Sequence, residues 1–264
     1  MTSREKNVKI LVATHKQYDM PQNATYLPVQ VGAFDKSDLG YIRDDSGDNI
    51  SAKNFCYCEL TALYFGWKNV QTDVLGLVHY RRHFAGKLPF VCNNKKYKIL
   101  DGATAEKYLQ SADILLPAKR KYYIETLYSH YEHTMHVEPL AVTGQIVKEL
   151  YPEYYAEFCR LKTRRSAHMF NMFVARREVA DSYCKWLFDI LAELEKRVEV
   201  LKYEDFHRRF CGRISELLLD VYVNTHKLTY KEIKVVNTEK QHFGKRLNRF
   251  LRAKFHKEKY DQSF

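Results

Sequence analysis

The sequence predicts an α/β protein, and three observations carry that prediction. Short apolar runs rich in β-branched residues alternate with segments of helical period. Glycine and proline are scarce, 10 and 6 of 264 residues, which argues against a many-turned all-β fold. Polar or cationic side chains also arrive directly after several apolar runs, where an open α/β sheet collects its ligands.

The length suits one α/β domain with an appendage, or two small domains, with a sizeable core. Twenty tyrosines, 15 phenylalanines and the lack of low-complexity segments speak against disorder outside the tail. A net charge of +11 suits an anionic partner, whether nucleic acid, membrane or a phosphorylated small molecule. The six cysteines contain no Cys-x-x-Cys pair, so a zinc site is not expected. No signal peptide precedes the first strand and no run of 18 apolar residues occurs, which points to a soluble, reducing, cytoplasmic setting.

Residues 7–13 (NVKILVA) read as a first strand that ends in Thr14-His15-Lys16. Residues 26–32 read as a second. The stretch 35–49 contains Asp44-Asp45-Ser46-Gly47-Asp48-Asn49 but lacks the closing Glu of an EF-hand loop. It reads as a structured loop that contacts a polar ligand or caps the next helix. Residues 50–67 read as that helix, with Ser51 as N-cap and Tyr57, Leu60, Leu63 and Tyr64 as its core stripe. Asn54 and Glu59 fall away from that stripe, toward ligand or solvent.

Residues 73–84 (DVLGLVHYRRHF) are the most informative stretch. A buried strand delivers His79, Tyr80, Arg81, Arg82 and His83 in succession. Arginine forks suit phosphate oxygens, so such a strand end fits a diphosphate. The alternative is a solvated basic loop. Residues 87–99 look basic and irregular. Residues 104–110 read as a short helix, and 112–117 as a strand stopped by proline and followed by Lys119-Arg120-Lys121.

His130, His133 and His136 recur at i, i+3 and i+6 within residues 126–136. Histidines three apart share a helix face, but the HExxH pattern is missing and helical drift carries the third away. Metal binding, substrate contact and plain surface all stay open. Residues 139–150 and 152–161 read as helices, the second opened by Pro152. Residues 166–176 read as a strand in which His168 and Asn171 each need a polar partner. A long amphipathic helix covers 177–201. Residues 206–222 combine an Arg-rich loop with a helix capped by Ser215. Glu216 in its first turn either complements the dipole or serves as a general base. A last strand covers 233–236. The tail, 240–259, carries eight Lys/Arg with Phe243, Leu247, Phe250 and Phe255 at helical spacing. It reads as a basic amphipathic helix for an anionic membrane surface, with a nucleic-acid arm or a helix docked on the domain as alternatives.

Several stretches together resemble a bacterial family known largely as a domain of unknown function and associated with capsular and exopolysaccharide biosynthesis glycosyltransferases. They are ILVATHK (10–16), DDSGDNISAKNFCYCELTALYFGWKN (44–69), DVLGLVHYRRHF (73–84), DILLP (113–117), HMFNMFV (168–174), YCKWLFDIL (183–191) and ISELLLDVY (214–222). Some members resemble galactofuranosyltransferases that use UDP-galactofuranose. The resemblance implies a GT-A-like nucleotide-binding sheet flanked by helices, with a helical C-terminal region. It also implies a carboxylate base near the start of a late helix, where Ser215-Glu216 stand. The usual Asp-x-Asp metal motif is replaced by His79-Tyr80-Arg81-Arg82, so no metal ligand is assigned and Mn or Mg dependence is left open.

The expected organisation is one domain over residues 1–238, with a donor half to about 118 and an acceptor half from about 119, then the tail 239–264. The expected activity is hexosyl transfer from a nucleotide sugar, UDP-linked, to a lipid-linked or oligosaccharide acceptor of surface polysaccharide. Thr14, His15, Lys16, Asp48, Asn49 and Asn54 would hold the nucleotide. His79, Tyr80, Arg81 and Arg82 would bind the diphosphate, with both arginines stabilising the leaving group. Glu216, beside Ser215, would take the acceptor proton, and His130, His133 and Asn171 would line the sugar or acceptor side. The tail would hold the enzyme on the cytoplasmic face of the membrane. No nucleic-acid motif occurs, so nucleic acid is not an expected partner. The runner-up is a non-catalytic protein that binds nucleic acid or an anionic surface.

Overall fold

The computed structural model describes residues 6–239. The tail helix expected over 240–259 lies outside them. In chain order the first elements are β1 (Val8–Thr14), β2 (Tyr26–Gln30), β3 (Ile42–Arg43), α1 (Asn54–Tyr57), α2 (Leu60–Asn69), β4 (Val74–His79), β5 (Arg82–Cys92) and β6 (Lys95–Ile99). Next come α3 (Gly102–Tyr108), β7 (Ile114–Pro117), β8 (Arg120–Lys121), α4 (Leu127–Thr134), α5 (Glu138–Leu150) and α6 (Pro152–Cys159). The chain then forms β9 (Ser166–Ala167), β10 (Phe173–Arg176), α7 (Arg177–Arg197), α8 (Phe210–Thr225), β11 (Tyr230–Ile233) and β12 (Val235–Asn237).

These elements fall into two compact units. The first takes the chain up to Ala118, then Phe170–Lys185 and Leu228–Thr238; the second takes Lys119–Met169 and Trp186–Lys227.

The first unit is built on a mixed sheet in the order β11-β7-β10-β4-β1-β2-β3. β1 runs parallel to β2 and β4, whereas β10 runs antiparallel to both β4 and β7. The central strands β1 and β4 are almost wholly buried, as near-continuous Val/Ile/Leu runs require when both faces are covered. Their register sets Ala13 against His79, so both strands end at the same level. α2 lies against β1 at Gly66, where an added Cβ would strike the Leu11 side chain.

Four local expectations are corrected here. Residues 87–99 are not irregular: β5 and β6 form a hairpin with a register shift between Ala85 and Leu88. The helix expected over 50–67 is broken. A 3-10 turn over Ser51–Lys53 leads into α1, and Cys58 at φ +54° separates α1 from α2. Ser51 caps nothing with its side chain; its hydroxyl bonds the buried Asp44 carboxylate instead. The strand expected over 166–176 is two strands, because Phe170 and Asn171 both take positive φ between them.

The second unit is mainly helical, with the small β8–β9 pair beside it. Tyr154 of α6 stacks on Trp186 of α7 at a centroid distance of 4.7 Å, and Trp186 also meets Tyr222 of α8. α8 begins at Phe210, earlier than the sequence predicts. Ser215 is therefore not an N-cap but an interior residue whose hydroxyl donates to the Gly212 carbonyl. Glu216 lies beyond the first turn, so dipole complementation does not explain it.

Candidate functional site

In the first unit the carboxyl ends of β1 and β4 converge on one group of side chains. Thr14 closes β1 with a local turn: its buried hydroxyl donates to the Lys16 carbonyl at 2.7 Å and accepts from the Lys16 amide. His15 and Lys16 are exposed beyond it. The Lys16 ammonium stands 4.9 Å from the Tyr80 ring centroid and 5.3 Å from that of Tyr18, and His15 meets Tyr80 edge-on. Tyr80 is thus the floor on which Lys16 and the His15 ring rest.

β4 and β5 are joined by a tight reversal in which His79 pairs with Arg82. Tyr80 and Arg81 occupy the bend. The Arg81 guanidinium lies 5.8 Å from the Tyr80 ring and that of Arg82 lies 4.5 Å from the Phe170 ring. Arg82 is only 8% exposed. His83, next along, is sealed in the core between Tyr26 and Phe90 and faces no ligand. Burial pushes its imidazole down to about 4.

His79 donates from Nε2 to the Phe170 carbonyl at 2.7 Å, with Glu59 Oε1 3.9 Å from the same nitrogen. Burial lowers the pKa of His79 against the opposing pull of Glu59, and the Arg82 and Arg81 charges lower it further. The neutral ring therefore carries its proton on Nε2 and keeps Nδ1 as an acceptor. Asn171 donates from its amide to Glu59 Oε1 at 2.7 Å. Glu59 owes its position to the Cys58 kink, which Asn54 braces by donating to the Cys58 carbonyl at 2.7 Å. Gly32, at φ +58°, fits against the Asn54 side chain, where a Cβ would come within 2.6 Å.

Thr14, His15, Lys16, His79, Tyr80, Arg81, Arg82 and Asn171 are thus linked by contacts within one unit. Asp48 and Asn49 engage the loop itself. Asp48 accepts from the Tyr64 hydroxyl and forms an ion pair with Lys68 at 3.9 Å, while its backbone is clamped by Asn69. Asn49 donates to Asp45 and Gly47 carbonyls and accepts from the Ser51 amide. Asp44, Glu125, Phe170 and Asp220 stand out only in the structure. Asp44 is fully buried and takes the Gly32 and Ala33 amides at 2.8 and 2.9 Å.

In the second unit, Glu125 is buried and accepts from His130 Nδ1 at 2.9 Å and His133 Nδ1 at 2.6 Å. Glu125 fixes both rings through Nδ1, so each ring turns its Nε2 edge away from the carboxylate. His168 is held by Asp220, which takes both its Nδ1 proton and its backbone amide. Glu216 is 7% exposed, with Arg213 Nη1 3.7 Å from its carboxylate.

The residues at the β4 end do not fit a divalent metal. Guanidiniums cannot ligate, the Nε2 of His79 is committed to Phe170, and among the described residues no group of three His, Cys, Asp or Glu side chains gathers at this strand end. A divalent cation placed there would meet the like charges of Arg81 and Arg82.

The fold defines a GT-A-like α/β protein, a mixed sheet flanked by helices. It matches the solved apo structure of the WbbM bifunctional glycosyltransferase with a TM-score of 0.79 and 30% identity. The match covers 89% of this chain and 46% of that one, so this chain spans about half the length of that protein. The chain belongs to the family described as a domain of unknown function (DUF4422), which matches residues 9–227. No curated protein matches it. Among the described residues no helix is long and apolar enough to cross a membrane.

Proposed function

We propose that the chain is a glycosyltransferase that moves a hexosyl group from a UDP-linked sugar to a saccharide or lipid-linked acceptor in surface polysaccharide synthesis. The observation that supports this most is the convergence of Lys16, Arg81 and Arg82 on Tyr80 and Phe170 at the ends of β1 and β4. The likeness to a glycosyltransferase structure supports it independently.

In this reading the cations receive the diphosphate. When the sugar's anomeric C–O bond breaks, negative charge grows on the departing phosphate, and preorganised guanidiniums stabilise it without solvent reorganisation. Thr14, His15 and Asn171 contribute polar contacts, and His79 offers Nδ1 as an acceptor. Asp48, Asn49 and Asn54 shape the nucleotide pocket through their loop and helix contacts. Glu216 takes the acceptor's hydroxyl proton as the oxygen attacks the anomeric carbon, and His130 and His133 bind acceptor hydroxyls. UDP-galactofuranose is the donor to test first. Membrane attachment is assigned to the basic tail.

Calorimetric titration with UDP, followed by donor assays with lipid-linked and oligosaccharide acceptors, tests the proposal. UDP binding in the presence of EDTA and transfer from at least one UDP-sugar are expected. Glu216→Gln should keep UDP binding and lose turnover by about a hundredfold or more. Absence of UDP binding, with salt-sensitive RNA binding in its place, would overturn the reading in favour of a nucleic-acid protein.

A further inference from the structure

Two imidazoles and one carboxylate come together in the second unit, apart from the Glu125 cluster. His136 lies just past the end of α4. Glu204 and His207 lie in the turns that lead into α8. Their potential ligand atoms, one from each side chain, all fall within 4.8 Å of one another. The rings of His136 and His207 are 4.6 Å apart, and His136 Nε2 is 4.0 Å from Glu204 Oε2.

The backbone prepares this set. The Glu204 carbonyl accepts from the amides of His207 at 2.8 Å and Arg208 at 3.0 Å, so Glu204 and His207 sit three apart on one helical turn, side by side. Arg208 fixes the same turn by donating to the Tyr203 carbonyl and pairing with Asp205, each at 2.8 Å. Tyr203 packs its ring on His136 at 4.9 Å and donates its hydroxyl to Glu138 at 2.7 Å. Lys202 also pairs with Glu138. The nearby cations Lys202 and Arg208 are thus matched by Glu138 and Asp205, which leaves the Glu204 charge facing the imidazoles.

We propose that His136, Glu204 and His207 form a binding site for a divalent transition-metal ion, zinc in the first instance. Imidazole with one carboxylate is a set that such ions favour over magnesium or calcium, which take oxygen ligands. Tetrahedral coordination with bonds of roughly 2 Å needs ligand atoms only about 3.3 Å apart. The contraction falls to Glu204, whose side chain is 83% exposed and rotates at little cost, and to partly exposed His136. Buried His207 anchors the set, and the fourth position stays with solvent. The ion would clip the end of α4 to the entrance of α8. It has no part in the proposed diphosphate binding, so the two readings stand or fall separately.

The full chain, stripped with a chelator, is titrated with Zn²⁺ against a chromogenic competitor, and with Co²⁺ for its visible spectrum. One equivalent of Zn²⁺ is expected, with a rise in melting temperature and no such response to Mg²⁺. The Co²⁺ spectrum should show weak d–d bands without the intense thiolate band that the six cysteines would give. Glu204→Gln should weaken Zn²⁺ affinity about tenfold or more. Because Glu204 is exposed, that variant should melt like the parent without metal. His136→Gln should weaken binding at least as far. Failure to bind one equivalent, a thiolate spectrum, or affinity unchanged in both variants would overturn the assignment.

Discussion

His79 donates its Nε2 proton to a carbonyl that Phe170 offers from a backbone φ of +80°. A bulky residue in that region carries strain of order 1–3 kcal/mol, and such strain persists where the surroundings over-determine it. Here Phe170 is held twice, by the bond from His79 to its carbonyl and by the Arg82 guanidinium over its ring. The neighbouring Asn171, at φ +54°, locks the reversal by bonding Glu59. The bend therefore orders His79, Glu59 and Arg82 together.

Substitutions at Asn171 separate its two tasks. Asn171→Gly keeps the positive φ and loses the bond to Glu59, which should cost about 1 kcal/mol. Asn171→Ala loses the bond and strains the backbone as well, for about 2 kcal/mol in total. Urea unfolding of the two variants measures the difference. Equal stabilities would mean that the backbone conformation there is not strained for alanine.

Gly76 lies in the middle of β4 because β10 approaches closely there. A Cβ at Gly76 would stand 2.8 Å from Val174 Cγ2 and 3.0 Å from the Phe173 carbonyl oxygen. Gly76→Ala should cost about 1–3 kcal/mol, read as a lower urea midpoint at unchanged slope. Adding Val174→Ala should recover part of the loss, since it removes the nearer clash and leaves the backbone one.

The β1–β4 frame and the cation cluster at its end are legible in the sequence, because buried parallel strands read as unbroken apolar runs and their ends as abrupt polar ones. The β5–β6 hairpin is not legible. Its charged face alternates with few apolar partners, and the register shift between Ala85 and Leu88 breaks the period of two. The bend at Phe170–Asn171 is hidden because phenylalanine signals strand, and tertiary bonds override that preference. Ser215 misleads as a cap because a serine inside a helix can return its hydroxyl to a carbonyl three or four residues back. Glu125 carries no local signal at all: it precedes α4 and gains meaning only when the helix brings His130 and His133 over it.

His83 makes acid sensitivity measurable. Its pKa falls from 6.5 to about 4 on folding, because burial disfavours the charged ring. Above pH 6.5 the ring is neutral in both states and no stability is lost. As pH falls toward 4 the unfolded chain gains a proton that the folded chain refuses, so stability declines by about 3 kcal/mol. His83→Phe, which keeps a ring between Tyr26 and Phe90, should flatten that decline relative to the parent in urea melts between pH 7 and 4. A parallel decline in both proteins would sink the assignment.

Glu125 should act at lower pH. Burial raises its pKa, but the bonds from His130 and His133 outweigh that and leave it below its ordinary 4.5. Its contribution is present above about 4.5 and fades as pH falls through the depressed folded value. Glu125→Gln leaves one imidazole facing an amide donor and should cost about 1–3 kcal/mol at pH 7. The gap between parent and variant should narrow in acid, and thermal melts from pH 7 to 3 check it.

Arg81 and Arg82 should differ in how they fail. Arg81 is half-buried at the bend, so Arg81→Ala should leave the melting temperature unchanged and weaken UDP binding by about tenfold or more. Arg81→Lys should recover part of that, since an ammonium keeps the charge and loses the fork. Arg82 is buried with its guanidinium over Phe170, so Arg82→Ala should lower the melting temperature as well as the affinity. Calorimetry with UDP at two salt concentrations, beside thermal melts, reads both effects. Each alanine variant should also flatten the salt dependence of binding, because one cation fewer faces the diphosphate. UDP affinity unchanged in both alanine variants would remove the diphosphate from the β4 end, whatever the chain then proves to transfer.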